Sequence, residues 1–162
     1  MAGRPQGLKL DPNSAHAAHQ EPIQLCGRDR LGLPLEIVNS VPWLAMRATT
    51  EVFALAILGE AGLMTLFSWQ EHGAAVVKER QRLIDSEDFD SLRLLDDRYR
   101  RVQIPKDARI TLTLSHILHL GLPTDLDAHL YVALVGEAIQ ILSSEYRDQQ
   151  LSRARALFPS LP

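Results

Sequence analysis

Two stretches of this chain read alike, and the likeness returns at nearly constant spacing. Residues 51–72 and 127–148 each pass through an apolar segment, a Gly-Glu-Ala turn, a second apolar segment and a serine before a helix. The glycines of the two turns stand 77 positions apart. Upstream, residues 30–44 and 109–123 match at an offset of 79. Two matches in the same order indicate a duplicated unit of roughly 60 residues, and hence a fold with internal pseudo-symmetry.

Local signals predict the first half of each unit as two strands and a short helix. In the second unit, a strand at 102–104 precedes one at 109–113, which alternates and is rich in β-branched residues. A helix follows over 114–120, and we expect Ile117 and Leu118 to face the core, with Leu120 as a further candidate. The corresponding first strand of the first unit is 23–25, from its Ile-Gln-Leu sequence.

The second half of each unit is predicted as a hairpin followed by a helix. Residues 53–58 and 64–67 flank the first turn, and residues 129–135 and 139–142 flank the second. Ser68 to Glu71 match the pattern of a capping box, in which both side chains bond orphan backbone N–H groups. Each unit therefore reads β-β-α-β-β-α, and the predicted class is α+β.

Composition and charge exclude several classes of protein. The chain is 46% hydrophobic and 23% charged, which does not fit collagen, a coiled-coil rod or a disordered chain. Its net charge of -3 excludes a polycation that coats nucleic acid or membrane without specificity. The single cysteine, Cys26, rules out an intrachain disulfide and a cysteine-based zinc site, which favours the cytoplasm. We expect no signal peptide and no membrane span.

Four segments describe the predicted organisation of the chain. A tail rich in Gly, Pro, Ser and His precedes the first unit, and we expect it to be flexible. A run of acidic residues from Asp85 to Asp90, followed by a short helix, separates the two units. The predicted bounds are the tail at 1–21, the first unit at 22–84, the acidic linker and short helix at 85–99, and the second unit at 100–162.

The second unit, from Val102 to Leu151, resembles the SpoVT/AbrB type. The shared order is a strand, a loop ending in Arg109, a second strand, a short helix ending in Leu-Gly-Leu and a glycine-centred hairpin. Two such units, each followed by a helix, resemble the MraZ family of bacterial transcriptional regulators over residues 23–158. The resemblance implies two tandem units forming a pseudo-symmetric swapped-hairpin barrel with flanking helices. It also implies DNA binding by a homo-oligomer, ring-like in form.

The chain departs from the family signature at defined positions. That signature is an aspartate, three residues and an arginine at the start of each unit. Arg30 and Arg109 hold the arginine positions, but Cys26 and Pro105 stand where the aspartates would be. The glycine that usually precedes each arginine is replaced by Asp29 in the first unit and by Ala108 in the second. The chain therefore resembles a diverged relative of the family.

A DNA-binding surface needs cations on phosphates and a few donors aimed at base edges. Arginine serves both tasks, because its planar fork binds a phosphate or a guanine edge through two hydrogen bonds. Residues 98–109 hold five basic side chains against one acid, Asp107. An ordinary solvated surface, with Asp96 and Asp97 pairing some of these arginines, is the alternative. The candidate DNA-binding residues are Arg28, Arg30, Arg100, Arg101, Lys106 and Arg109.

Other polar residues are weaker candidates for chemistry. His116 and His119 have metal-ligand spacing on a helix, but no cysteine or obvious carboxylate accompanies them, so surface histidines are the better interpretation. Glu60 and Glu137 recur at the hairpin turns, where turn chemistry or a salt bridge between subunits explains them better than acid–base catalysis. We interpret Cys26 as a buried, inert thiol.

The expected function is therefore DNA-binding transcriptional regulation by a cytoplasmic, nucleoid-associated homo-oligomer. The alternative is a diverged protein-interaction or assembly module that no longer binds DNA, favoured by the missing aspartates and the net acidity. An enzyme on this scaffold is a third class, and no nucleophile elbow, P-loop or metalloprotease helix supports it. We expect no cofactor, no metal, no membrane partner and no small-molecule substrate.

Overall fold

The computed structural model of this chain describes residues 22–27, 29–122 and 129–161. These residues form six α-helices, one 3-10 helix, a six-stranded antiparallel sheet and a separate two-stranded ribbon, and this confirms the α+β class. Neither sheet closes into a barrel within the described ranges. No helix in these ranges is both long and apolar enough to cross a bilayer. The predicted tail, residues 1–21, lies outside the described residues.

The β-β-α-β-β-α order that the repeat predicts occurs twice, with an additional helix and a 3-10 helix at 42–48 in the first unit and a helix at 89–98 between the units. The strands are β1 (Ile23–Gln24), β2 (Arg30–Gly32), β3 (Val52–Leu58), β4 (Leu63–Ser68), β5 (Tyr99–Ile104), β6 (Arg109–Thr111), β7 (His129–Val135) and β8 (Ala138–Ser143). The helices are α1 (Leu35–Val38), α2 (Pro42–Ala45), α3 (Trp69–Asp85), α4 (Phe89–Arg98), α5 (Leu114–His119) and α6 (Ser144–Leu157), with the 3-10 helix at Met46–Ala48.

The six-stranded sheet interleaves strands from the two repeats. Its order is β1-β7-β8-β4-β3-β5, so the two hairpins meet at the centre through β4 and β8. Each outer strand lies on the hairpin of the other repeat, β1 on β7 and β5 on β3. At the centre Thr65 pairs with Gln140, flanked symmetrically by Met64 with Ile141 and by Leu66 with Ile139. A local pseudo-twofold axis therefore runs between the two hairpins.

The small ribbon is also formed by equivalent strands of the two repeats. There β2 pairs with β6 in an antiparallel register that sets Leu31 opposite Ile110. A backbone hydrogen bond of 2.9 Å from Leu33 N–H to Ala108 C=O extends the pairing by one step. Both central side chains are fully buried, and they belong to one hydrophobic core that also takes in the inner face of the six-stranded sheet. Burial of this apolar surface is the main force holding the ribbon on the sheet.

Side-chain contacts also join the repeats at the hairpin turns. Trp43 Nε1 donates a 2.7 Å hydrogen bond to the backbone carbonyl of Glu137, in the turn between β7 and β8. At the corresponding place in the other hairpin, Gly62 N–H donates to the carbonyl of His119, and His119 Nε2 lies 2.9 Å from the carbonyl of Leu63. Each turn is thus fixed by a helix of the other repeat.

Several local expectations were wrong. Ser68 stands at the start of α3 but makes no capping bond, whereas Thr113 and His116 form a capping box at α5. On α5 Ile117 packs against the core as expected, and Leu120, directly after the helix, is buried, but Leu118 is 70% exposed and His116 is buried instead. Leu118 stands two residues, about 200°, around the helix from His116, so the two side chains lie on opposite sides of it. The acidic linker is also shorter than expected, since α3 runs to Asp85 and α4 begins at Phe89.

Candidate nucleic-acid interface

Arg30 and Arg109 lie on the same outer face of the ribbon. Side chains alternate between the two faces of a strand, and Leu31 and Ile110 occupy the buried face. Arg30 and Arg109 therefore point outward, and both are exposed. Arg109 pairs with Gly32, and its Cγ lies 3.9 Å from the position that a Cβ on Gly32 would occupy. This is an ordinary van der Waals distance, so the Arg109 stem lies beside Gly32 on the ribbon.

Lys106 belongs to a tight turn that leads directly into Arg109. Ala108 N–H donates to the carbonyl of Pro105 at 2.9 Å, and Asp107 Oδ1 accepts the N–H of Arg109 at 3.1 Å. Ala108 has a φ of 60°, in the left-handed region that glycine adopts without strain. The lysine side chain is exposed on this turn. Lys106 and Arg109 thus project from one short, hydrogen-bonded segment.

Arg100 and Arg101 do not extend this surface as a single patch. They are neighbours on β5, so they point to opposite faces of the sheet. Arg100 is half-buried on the core side, where it donates to Ser115 Oγ at 3.3 Å and lies 3.7 Å from Asp97. Arg101 lies on the other face, with its guanidinium carbon 3.8 Å from the ring centroid of Phe53.

The alternative interpretation, in which Asp96 and Asp97 neutralise the basic segment, holds for only part of that segment. Asp97 pairs with Arg100, as that alternative expects, but Asp96 pairs with Arg80 of α3 instead. Within the described residues, no ion pair involves Arg30, Lys106 or Arg109. Arg101 also forms no ion pair there, so four of the six candidates are exposed cations without a carboxylate partner in the described part of the chain. Arg28 lies outside the described residues.

His116 is a buried histidine that the sequence interpretation placed at the surface. It is fully buried, and its Nδ1 accepts the N–H of Thr113 at 3.2 Å. Desolvation, with smaller contributions from the charges of Arg100 and His119, lowers the pKa of His116 from 6.5 to about 4. The imidazole is therefore neutral near pH 7 and acts as part of the core.

Two further expectations about titratable side chains can be compared with the structure. Cys26 is exposed, not buried, and its N–H donates to the carbonyl of Arg30 at 2.7 Å. The reason is that it lies on the rim of the ribbon, beyond the last buried pair. No group of three or more His, Cys, Asp or Glu side chains is placed to hold a metal within residues 22–27, 29–122 and 129–161.

Sequence reasoning missed Arg47, which the fold places beneath the Lys106 turn. Arg47 is 8% exposed, and its Nε donates to the carbonyl of Lys106 at 3.0 Å. Its Nη1 donates to the carbonyl of Leu44 at 3.2 Å. An arginine directly after an apolar run is the signal that could have drawn attention to it. Arg47 connects the 3-10 helix of the first repeat to the basic turn of the second.

Comparison of the chain with protein-family models and with curated proteins identifies no relative. The chain matches no protein-family model, and no curated protein is significantly similar to it. The placement of the basic side chains is accordingly the observation from which function can be argued. Two outward arginines, one from each repeat, on a narrow two-stranded ribbon form a surface suited to a polyanion.

Proposed function

We propose that this chain is a DNA-binding transcriptional regulator similar to the MraZ family, acting in the cytoplasm on the nucleoid. The observation that carries the proposal is the placement of Arg30 and Arg109 on one exposed face of the β2–β6 ribbon. Equivalent positions of the two repeats thereby contribute one basic side chain each to the same surface. Such a surface matches the repeating negative charge of a nucleic-acid backbone.

The finer architecture that we propose is a pseudo-symmetric swapped-hairpin barrel of two SpoVT/AbrB-like units. The interleaved strand order supports it, because each outer strand pairs with the hairpin of the other repeat. The ribbon also supports it, because β2 and β6 come from different repeats. In this arrangement the basic face exists only when both units are folded together.

The chemistry of the face fits duplex DNA in particular. A two-stranded ribbon is narrow enough for the major groove, where guanine presents two acceptors to an arginine fork. Lys106, on the turn before Arg109, would contact phosphate as a point charge. Assembly of several copies into a ring-like homo-oligomer would repeat the face and raise its avidity for repeated DNA sites.

The test is the salt dependence of DNA binding. We expect wild-type protein to bind a duplex with an affinity that falls steeply with salt, and an Arg30→Ala/Arg109→Ala variant to bind more weakly. If each arginine neutralises one phosphate, the slope of log K against log salt should fall by about 2 per subunit. The matched control is Arg82→Ala/Arg93→Ala, which removes the same charge from exposed positions on α3 and α4.

Fluorescence anisotropy with labelled duplexes, across a series of salt concentrations, gives both affinity and slope. The proposal is wrong if wild type shows no salt-sensitive binding, or if the ribbon variant and the helix control lose affinity equally. The second result would mean that net charge alone, rather than the ribbon, attracts the DNA. Circular dichroism of both variants checks that the fold is kept.

One observation favours the alternative, a protein-interaction or assembly module. Leu35 and Leu114 hold equivalent positions in the two repeats, and they are 54% and 70% exposed. Symmetric exposure of large apolar side chains is typical of surfaces that meet another chain. Cys26 and Pro105, in place of the family's aspartates, point the same way. A wild-type protein that assembles, and loses assembly in Leu35→Ser/Leu114→Ser, but binds no duplex would favour this alternative.

A further inference from the structure

We propose that a cavity beside the buried Arg47 binds a phosphate group. The cavity has a volume of about 370 Å³ and opens between the 3-10 helix and the end of β5. Its lining includes Arg47, Thr50, Glu51, Gln103 and Lys106. Of these residues only Lys106 belongs to the proposed DNA-binding surface, and the phosphate proposal, which is centred on Arg47, does not depend on DNA binding.

The first reason is the unusual state of the Arg47 side chain. A guanidinium carries five N–H donors. Two bonds from Arg47 go to backbone carbonyls, and no carboxylate forms an ion pair with it in the described ranges. A buried cation without an anionic partner is costly, and an anion in the adjoining cavity would offset that cost. The donors that the carbonyls leave over are available to such a ligand.

The second reason is the geometry in which the guanidinium is held. Bonds from Nε to the carbonyl of Lys106 and from Nη1 to the carbonyl of Leu44 fix its plane. A fixed guanidinium loses little side-chain entropy when it binds, and its fork matches the oxygens of a phosphate. Arg47 is thus preorganised, in contrast to an arginine that moves freely at the surface.

The third reason is the charge of the cavity wall. Lys106 adds a second cation, and Glu51 is the one acidic residue among the lining side chains. Two cations against one carboxylate favour a doubly charged oxyanion over a singly charged one. The volume admits a phosphate group with its hydrating waters. The phosphate could be free in solution or belong to a nucleic-acid backbone, since both present the same oxygens.

Inorganic phosphate is the probe for the free form of the ligand. Sodium phosphate is titrated into the full-length protein at constant ionic strength, with chloride as the replacing anion, and Tm is followed by scanning fluorimetry. We expect Tm to rise with phosphate by mass action. Arg47→Lys should weaken the apparent affinity for phosphate about tenfold, because the planar fork is lost while the charge is kept.

Glu51→Gln supplies a second test that does not disturb the core, because Glu51 is exposed. Removing the one opposing carboxylate should strengthen phosphate binding by about threefold or more. The matched control is Glu36→Gln, an exposed glutamate on α1 that does not line the cavity. Lys106→Gln should weaken binding. These variants keep the proposal testable even if Arg47→Lys fails to fold.

The outcomes test whether the phosphate site exists, and they distinguish free phosphate from the phosphate of a nucleic-acid backbone as its ligand. No rise in Tm beyond that in chloride, or a Glu51→Gln variant that responds no better than Glu36→Gln, would overturn the proposal. If the site receives a DNA phosphate, free phosphate should compete with duplex at constant ionic strength. If the ligand is free phosphate, Tm should rise whether or not the chain binds DNA. A failure of DNA binding therefore leaves the Tm experiment decisive.

Discussion

Gly62 is the small residue whose replacement we expect to be most destabilising. It lies in the turn between β3 and β4 with a φ of 87°. Its carbonyl accepts the N–H of Ser143 at 2.8 Å, and its own N–H donates to the carbonyl of His119. A Cβ on Gly62 would lie 2.4 Å from Ser143 Oγ and 2.9 Å from Tyr146 Cβ. Gly62→Ala therefore introduces both backbone strain and a steric clash where the two repeats meet.

The magnitude can be estimated from separate contributions. A non-glycine residue in the left-handed region costs roughly 1–2 kcal/mol. Forcing an extra methyl into a packed site costs about 1–3 kcal/mol. Ser143 Oγ also accepts the N–H of Tyr146 at the start of α6, and displacing this cap costs about 1 kcal/mol. We expect Gly62→Ala to lower the free energy of unfolding by about 3–6 kcal/mol in total.

Urea denaturation followed by circular dichroism measures this loss. Gly121→Ala is the matched control, because Gly121 has a φ of 64° but no atom of the described residues lies within 4 Å of its would-be Cβ. It should lose only the backbone contribution, about 1–2 kcal/mol, at an unchanged m-value. Equal losses in the two variants would refute the steric argument and leave backbone strain as the whole cause.

Three further predictions concern buried polar groups and a strained turn. Because the pKa of His116 falls from 6.5 to about 4 on folding, the unfolded chain takes up a proton first as the pH is lowered. The free energy of unfolding should thus fall by about 3 kcal/mol between pH 6.5 and 4, and urea titrations across this range should show a smaller fall in His116→Gln. Trp43→Phe, which leaves the carbonyl of Glu137 without its indole donor, should lower the free energy of unfolding by about 1–3 kcal/mol, measured in the same way. Ala108→Gly should change the free energy of unfolding by less than about 1 kcal/mol, because relief of the strain at a φ of 60° offsets the loss of a buried methyl. The control is Ala75→Gly at an exposed position of α3, which should lower the free energy of unfolding by about 1 kcal/mol in the same urea titrations.

The sequence predicted the hairpins well because alternation, turn residues and repetition agree there. The strand predicted at 129–135 is β7 in the structure, and the other hairpin strands differ by one or two residues at their ends. The helix after Ser68 is harder to read, because its apolar residues Val76, Val77 and Leu83 suggest one buried face. Only part of that face is buried: Val76 stands seven residues before the buried Leu83 and shares its side of the helix, whereas Val77 is 53% exposed.

The partners of Arg47 could not be predicted from sequence for a different reason. Its Nε bonds a carbonyl 59 positions away, and nothing in the local pattern specifies which loop that will be. The same holds for His116, whose burial depends on a capping box that the first repeat does not share, because Ile37 stands at the equivalent position. Repetition predicts which elements exist, whereas departures from repetition mark the residues with individual roles.

The exchange of strands between repeats makes the basic face a property of the whole chain. Among the described residues, β2 pairs with β6 and β1 with β7, so the first unit alone would leave two strands without partners. Arg30 is held outward only because Leu31 is buried against Ile110 of the second unit. A substitution that loosens either hairpin turn should therefore weaken the ribbon as well, since both rest on one hydrophobic core. Stability of the fold and placement of the two arginines are consequently coupled. A loss of DNA affinity in a ribbon variant therefore has to be measured under conditions in which the variant and the wild type have the same folded fraction.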